Sequence, residues 1–218
     1  MIVYFDLDGT LLNSTQCSVV SAQETFRRFL NMDIPAEKIV EKMGIPIEVS
    51  FRELSNSQIN DDNWDEVANF FRNTYKDNTD VYTSLYDGVD DFLQSLSTAK
   101  YELFIVTSKK TSAAEHNLKQ LSVLDYFQGI IGSDKVDHYK PHPDPIFQAR
   151  KFASQTGKDE IMVGDADTDI IMGKSAGVKT CAVTWGAHSA ERLSAATPDM
   201  IVNTMGELRL ALMNFQTS

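Results

Sequence analysis

The first dozen residues constrain this chain more than any other stretch. Met1-Ile2-Val3-Tyr4-Phe5 is an unbroken apolar run that leads straight into Asp6-Leu7-Asp8-Gly9-Thr10-Leu11-Leu12. A short apolar run closed by a turn signal reads as a strand buried on both faces, the kind that parallel sheets contain. Asp6 and Asp8 then stand at its carboxyl end, where open α/β sheets place their ligands. Alternation along an extended segment points both carboxylates to one side. Two such charges about 4 Å apart repel by roughly 4 kcal/mol at an effective dielectric near 20, which calls for a metal ion, a shared proton or both. Taken alone, Asp-x-Asp also fits a strand that ends in two solvated acids, and the rest of the chain has to decide.

From Ser14 to about residue 76 the pattern is helical, with no clear strand. Phe26, Phe29 and Leu30 make one apolar stripe, and Val67, Phe70, Phe71 and Tyr75 make another. Ser14 suits the N-cap of the first helix. Asn31, Gly44-Ile45-Pro46 and Ser55-Asn56-Ser57 are breaks between helices, and Asn78-Thr79-Asp80 and Tyr86-Asp87-Gly88 lead back toward a sheet. Strand and helix alternate after that. Strands are expected at 101–106, 129–132, 161–163, 180–183 and near 200–202, with a helix after 143 whose inner face holds Ile146, Phe147 and Phe152. Such alternation implies right-handed crossovers and a mainly parallel, Rossmann-like α/β sheet. The expected organisation is an α/β core from residues 1–13 and 83–218, interrupted by a small all-helical domain over 14–82.

Composition narrows the partners. A net charge of −11 speaks against a nucleic-acid binder, which would carry a basic patch. It leaves a phosphorylated small molecule open, because distant charges are screened within roughly 8 Å in physiological salt. No apolar run approaches the roughly 18 residues of a membrane span. Met1 leads into the first strand without a basic or apolar leader, so a soluble, cytoplasmic protein is expected. Cys17 and Cys181 have neither disulfide nor metal-ligand spacing and read as small buried hydrophobes.

Three later strand ends supply what Asp6 and Asp8 lack. Thr107 and Ser108 offer hydroxyl and backbone donors for phosphate oxygens, although Thr-Ser after a strand is also an ordinary helix cap. Lys140 lies in Lys140-Pro141-His142-Pro143-Asp144-Pro145, where prolines restrict the backbone. Asp165, Asp167 and Asp169 follow another apolar run; acids there also suit a helix start. Together, the order Asp6-Leu7-Asp8, Thr107, Lys140 and Gly164-Asp165 through Asp169 resembles the haloacid dehalogenase superfamily, whose members are mostly phosphohydrolases. The likeness runs over essentially the whole chain, with the helical insert where such proteins carry a cap domain.

The resemblance implies roles. Asp6 is the nucleophile that forms an aspartyl-phosphate, and Asp8 is the general acid and base. Thr107, Ser108 and Lys140 hold the transferring phosphoryl group. Hard oxygen donors point to Mg²⁺, held by the Asp6 carboxylate, the Asp8 backbone carbonyl, Asp165 and, in support, Asp169. Asp167 has no role beyond surface or capping. Gly173-Lys174-Ser175 is no P-loop, since Thr168 stands where its first glycine belongs. The four histidines, His116, His138, His142 and His188, form no His-Glu-x-x-His site. The substrate expected is a small phosphorylated metabolite, with a phosphoglycolate phosphatase the nearest likeness. A β-phosphoglucomutase-type phosphomutase and an inorganic pyrophosphatase share these motifs, and a non-catalytic binding member is the remaining alternative. The loop at Gly44, with Arg52 beyond it, is the candidate surface for reading the substrate; a plain helix–helix turn with exposed charges fits it as well.

Overall fold

A computed structural model describes residues 1–154 and 159–215. Among them, six strands form one sheet: β1 (Ile2–Phe5), β4 (Glu102–Val106), β5 (Gly129–Ile131), β6 (Glu160–Gly164), β7 (Lys179–Val183) and β8 (Met200–Val202), in the order β5-β4-β1-β6-β7-β8. Every pairing is parallel. This is the doubly wound arrangement, with β1 at the centre and the reversal of strand order beside it. The apolar opening of the chain explains its position. Val3 and Phe5 enter the core on one face, with Leu103, Ile105, Ile161 and Val163. Ile2 and Tyr4 enter the other, with Phe104, Val106 and Met162. A run without polar alternation can be accommodated only where both faces are covered.

Helices supply that cover. α5 (Val89–Thr98), α6 (Thr111–Gln120) and α10 (Met205–Asn214) bury Phe92, Leu93, Leu118, Leu208 and Leu212 on the first face. α7 (Asp144–Arg150) and α8 (Asp167–Ser175) bury Ile146, Ala149 and Met172 on the second. One expectation is corrected here. Ile146 points inward, but Phe147 is 40% exposed and Phe152 63% exposed. The inward stripe of α7 runs from Ile146 to Ala149, which leaves Phe147 off it, and α7 ends at Arg150, so Phe152 lies beyond it. A short helix α9 (Ala190–Ala195), capped by the Ser189 hydroxyl accepting from Arg192 N, was not legible from periodicity.

Between β1 and α5 the chain forms α1 (Thr15–Leu30), α2 (Ala36–Glu41), α3 (Ile47–Leu54) and α4 (Trp64–Tyr82). They enclose their own core, in which Phe26 meets Phe51 edge-to-face at 5.0 Å and Phe51 meets Phe71 at 5.1 Å. The chain enters and leaves this unit side by side, since β2 (Leu12–Asn13) pairs antiparallel with β3 (Ser84–Leu85). Asn78-Thr79-Asp80, expected to lead out of the unit, lies inside α4. The stripe Val67–Phe71–Tyr75 continues to Thr79, whose hydroxyl donates to the Tyr75 carbonyl at 2.8 Å and so can be buried. Cys17 and Cys181 are both buried and unpaired. Among the described residues no helix is long and apolar enough to cross a membrane.

Phe26 is fully buried at the centre of the helical unit. Phe26→Ala is expected to lower stability by about 3–5 kcal/mol in chemical denaturation, the usual cost of an unfilled aromatic site. A loss below about 1 kcal/mol would mean that this core is loosely packed.

Candidate active site

The register of the sheet sets the acids side by side. Phe5 is paired with Val163, and Asp6 N donates to the Val163 carbonyl at 2.9 Å, so the residues that follow β1 and β6 emerge together. Asp6, Asp165 and Asp169 are all buried, with one oxygen of each within 4.8 Å of the others. Backbone approach this close needs glycine. Gly9 sits at φ +90°, and a Cβ there would lie 2.2 Å from Asp165 Oδ2; a Cβ on Gly186 would meet the same oxygen at 2.2 Å. Asp165 accepts from the Thr10 hydroxyl at 2.9 Å and from Ala187 N at 2.8 Å, while Asp169 accepts from Ala166 N at 3.1 Å.

Lys140 enters this cluster from the proline-rich loop before α7. Only 1% of it is exposed, and its Nζ donates to Asp6 Oδ1 and Asp169 Oδ1, each at 2.6 Å. Two carboxylates thus share one ammonium, with Asp165 alongside. Burial raises the Asp6 pKa well above the ordinary range; Lys140 opposes the shift, and Asp169 and Asp165 add to it. Burial, reinforced by Asp169, pushes Asp165 up to about 7 against the hydrogen bonds from Ala187 and Thr10. Burial works against the Lys140 charge, but Asp169 and Asp6 outweigh it and its pKa is raised. The cluster has room for further positive charge, as protons or as a hard divalent cation. An all-oxygen donor set with a formal excess of two negative charges, from three carboxylates and one ammonium, fits Mg²⁺.

Asp8 stands apart from that cluster and is held by a different set of donors. Its Oδ1 accepts from Ser14 Oγ at 2.5 Å, Lys109 Nζ at 2.8 Å and, longer, Tyr75 OH at 3.5 Å. Ser14 does occupy the N-cap position of α1, but its hydroxyl serves Asp8 instead of the helix. Lys109 Nζ also donates to the Tyr75 hydroxyl and to Asn117 Oδ1, each at 2.9 Å. Burial disfavours the Lys109 charge, yet Asp8 and Tyr75 more than compensate and raise its pKa. All of these contacts fall on Asp8 Oδ1.

The other candidates are distributed as follows. Thr107 is buried at the end of β4, its hydroxyl accepting from Lys109 N at 3.2 Å. Ser108 Oγ donates to the Gly44 carbonyl at 2.9 Å, and Thr168 Oγ1 approaches the same carbonyl at 3.4 Å. Gly44, at φ +89°, therefore joins the helical unit to the sheet beside the acids. Arg52 does not line the crevice; its guanidinium is tied to Glu48 at 3.2 Å and to Asp61. Asp167 is engaged by Arg192 at 2.7 Å, as a surface and capping residue would be. A cavity of about 510 Å³ lies between the helical unit and the sheet, with Asp6, Asp8, Thr107, Ser108 and Lys109 on one side and Gly44, Phe51 and Tyr75 on the other. Lys109 and Tyr75 were missed as site residues. Lys109 follows Thr107-Ser108 directly, and the helical spacing of Tyr75 marks it only as core.

Comparison with known proteins agrees with this architecture. Residues 3–183 match the family model for haloacid dehalogenase-like hydrolases. Pyrophosphatase PpaX of Bacillus anthracis is 29% identical over 216 residues, spanning 99% of this chain and 98% of the relative. The haloacid dehalogenase-like hydrolase SP0104 of Streptococcus pneumoniae superposes with a TM-score of 0.81 at 30% identity, covering 99% and 97% of the two chains. A predicted phosphoglycolate phosphatase of Haemophilus somnus superposes with a TM-score of 0.87 over 97% of each chain; at 22% identity this likeness bears on the fold.

The acid cluster has a thermodynamic consequence. A carboxyl whose folded pKa is raised contributes stability below its unfolded value near 4, and that contribution is lost as pH climbs through the folded value, about 7 for Asp165. A divalent cation held there would need the ionised cluster and so would compete with those protons. The rise in melting temperature on adding Mg²⁺ is therefore expected to be larger at about pH 7.5 than at about pH 5. An equal rise at both pH values would contradict a proton-loaded metal-free site.

Proposed function

This chain belongs to the haloacid dehalogenase-like hydrolase family, and we propose that it is a Mg²⁺-dependent phosphatase of small phosphorylated metabolites working through an aspartyl-phosphate on Asp6. The observation that carries this reading is the position of Asp6, at the end of the central strand, with Lys140 Nζ at 2.6 Å and Asp165 and Asp169 alongside. In the first half-reaction an Asp6 carboxylate oxygen attacks phosphorus and the bond to the leaving oxygen breaks. Asp8 gives its proton to that oxygen. In the second, Asp8 takes a proton from water as the water oxygen attacks the same phosphorus, and the Asp6 carboxylate is regenerated as phosphate leaves. The anchoring of Asp8 through Oδ1 by Ser14, Lys109 and Tyr75 supports this role, because it orients Oδ2 without occupying it.

Lys140 and the donors at Thr107 and Ser108 are assigned to the phosphoryl oxygens, where charge develops in the transition state. Mg²⁺ would be held by Asp6, the Asp8 carbonyl and Asp165, with Asp169 in support, and when bound supplies charge neutralisation for the attack of one anion on another. Residues 14–82 are read as a cap over the crevice, and residues 1–13 and 83–218 as the catalytic core. The paired linkers β2 and β3 suit a cap that moves as one body.

The substrate reading follows from the cavity. Pyrophosphate, from the name of the Bacillus relative, is one candidate. A volume of about 510 Å³ lined in part by Ile39, Ile47, Phe51 and Phe71 favours an ester with a carbon skeleton over a bare inorganic anion. A phosphomutase would need a second hydroxyl substrate in place of water, and a panel of esters separates the two.

Phosphate release from pyrophosphate, a phosphorylated two-carbon acid, sugar phosphates and an aryl phosphate is the test. It is expected to require Mg²⁺ and to vanish in Asp6→Asn. For substrates with poor leaving groups, Asp8→Asn is expected to be about 10²–10⁴-fold slower while the protein remains folded. Activity in Asp6→Asn equal to that of the unaltered protein would overturn the mechanism, and pyrophosphate as the best substrate would overturn the preference for an ester.

A further inference from the structure

The loop that delivers Lys140 to the acids carries a second group of ligand-type side chains on its exposed side. His138 and His142 lie four residues apart, and their rings face one another with centroids 4.5 Å apart and planes 32° from parallel. Asp144, the first residue of α7, sits beneath both. His138 Nδ1 is 3.0 Å from Asp144 Oδ2, and His142 Nδ1 is 3.5 Å from Asp144 Oδ1. One donor atom from each of the three lies within 4.8 Å of the others. The imidazoles are reachable from solvent, with side chains 65% and 46% exposed.

We propose that His138, His142 and Asp144 form a second cation site, one that selects a borderline divalent transition metal of the Zn²⁺ type over Mg²⁺. Distance is the first argument. Ligand bonds of about 2.0–2.1 Å in a tetrahedral site put neighbouring donors roughly 3.3 Å apart. His138 Nδ1 and His142 Nδ1 already stand 3.0 and 3.5 Å from the Asp144 carboxylate, on its Oδ2 and Oδ1 respectively, close to that value. Ligand chemistry is the second. Two imidazoles and one carboxylate suit zinc, copper, nickel or cobalt, whereas Mg²⁺ prefers the all-oxygen cluster at Asp6, Asp165 and Asp169. Backbone restriction is the third, because Pro141, Pro143 and Pro145 alternate with the ligands and limit the freedom lost on binding. Three protein ligands leave a fourth position for water. Binding exchanges existing hydrogen bonds for metal bonds: His138 N and Nδ1 to Asp144 Oδ2, and Asp144 N to His142 Nδ1. It also requires the ligating ring nitrogens to be free of protons.

The test uses the full chain in millimolar Mg²⁺, titrated with Zn²⁺ by calorimetry and with Co²⁺ by visible absorption. The unaltered protein and Asp6→Asn are expected to bind one equivalent of zinc. His138→Ala and His142→Ala are expected to lose that equivalent, with affinity reduced at least ~100-fold, beyond the 10–100-fold typical of a lost supporting contact. Phosphate release with Mg²⁺ in His138→Ala is expected to match the unaltered protein. Three results would overturn the proposal: no zinc bound by the unaltered protein, zinc bound equally by both histidine variants, or an equivalent that disappears with Asp6→Asn. The last would put the cation among the buried acids.

Discussion

Everything at the crevice depends on one buried ammonium. Lys140, with 1% of its surface exposed, is surrounded by carboxylates that are themselves out of water. Isolated charges in such a place cost several kcal/mol each, and a buried ion pair holds only when its geometry and hydrogen bonding are good. The geometry here comes from three separate parts of the chain. The register of β1 against β6 sets Asp6 beside Asp165, the proline-rich loop brings Lys140 from below, and the start of α8 supplies Asp169. Gly9 and Gly186 let the backbone close over Asp165 where any side chain would collide. With three acids and one lysine the cluster keeps a formal negative excess, which suits protons or a hard cation.

A second polar network ties the helical unit to this machinery. Ser14 at the start of α1 and Tyr75 on α4 both reach Asp8, and Lys109 bridges Asp8, Tyr75 and Asn117. The Gly44 carbonyl meets Ser108 and Thr168 on the other side of the crevice. Position and chemistry are thereby coupled: moving the helices away from the sheet would strip Asp8 of two of its anchors while leaving the Lys140 cluster intact. The helical unit keeps its own aromatic core around Phe51, so it can move without unpacking.

Much of the fold was readable because the relevant signals are local. A short apolar run closed by a turn signal suits a doubly covered sheet, and Ile2–Phe5 is the central strand. The order of strand-end residues also gave the site its outline, with Asp6, Lys140, Asp165 and Asp169 meeting in one cluster. What escaped was directional. In Thr107-Ser108-Lys109-Lys110 nothing local says which lysine turns inward; that depends on Asp8, 101 positions away, accepting a hydrogen bond from it. Tyr75 has the spacing of a core residue and is one, yet its hydroxyl projects past the core to Asp8. Arg52 has its i−4 neighbour Glu48 on α3, an ion pair open to sequence reading, but Asp61 reaches the guanidinium only through the turn after α3. Hydrophobicity points Phe147 and Phe152 inward, but Phe147 lies off the Ile146–Ala149 stripe of α7 and Phe152 lies beyond the helix's end.

The most direct test of the account is to trap the covalent state. An aryl phosphate has a leaving group good enough to depart without an acid, whereas hydrolysis of the acyl phosphate still needs a base. In Asp8→Asn, brief reaction with such an ester in Mg²⁺, acid quenching and peptide mapping by mass spectrometry should find a phosphoryl group on the peptide that contains Asp6. Its presence at Asp6, and its absence from Asp6→Asn treated in the same way, is the predicted result. Steady turnover with no phosphoryl group on the protein, or one attached to another residue, would contradict the assignment of Asp6 as nucleophile.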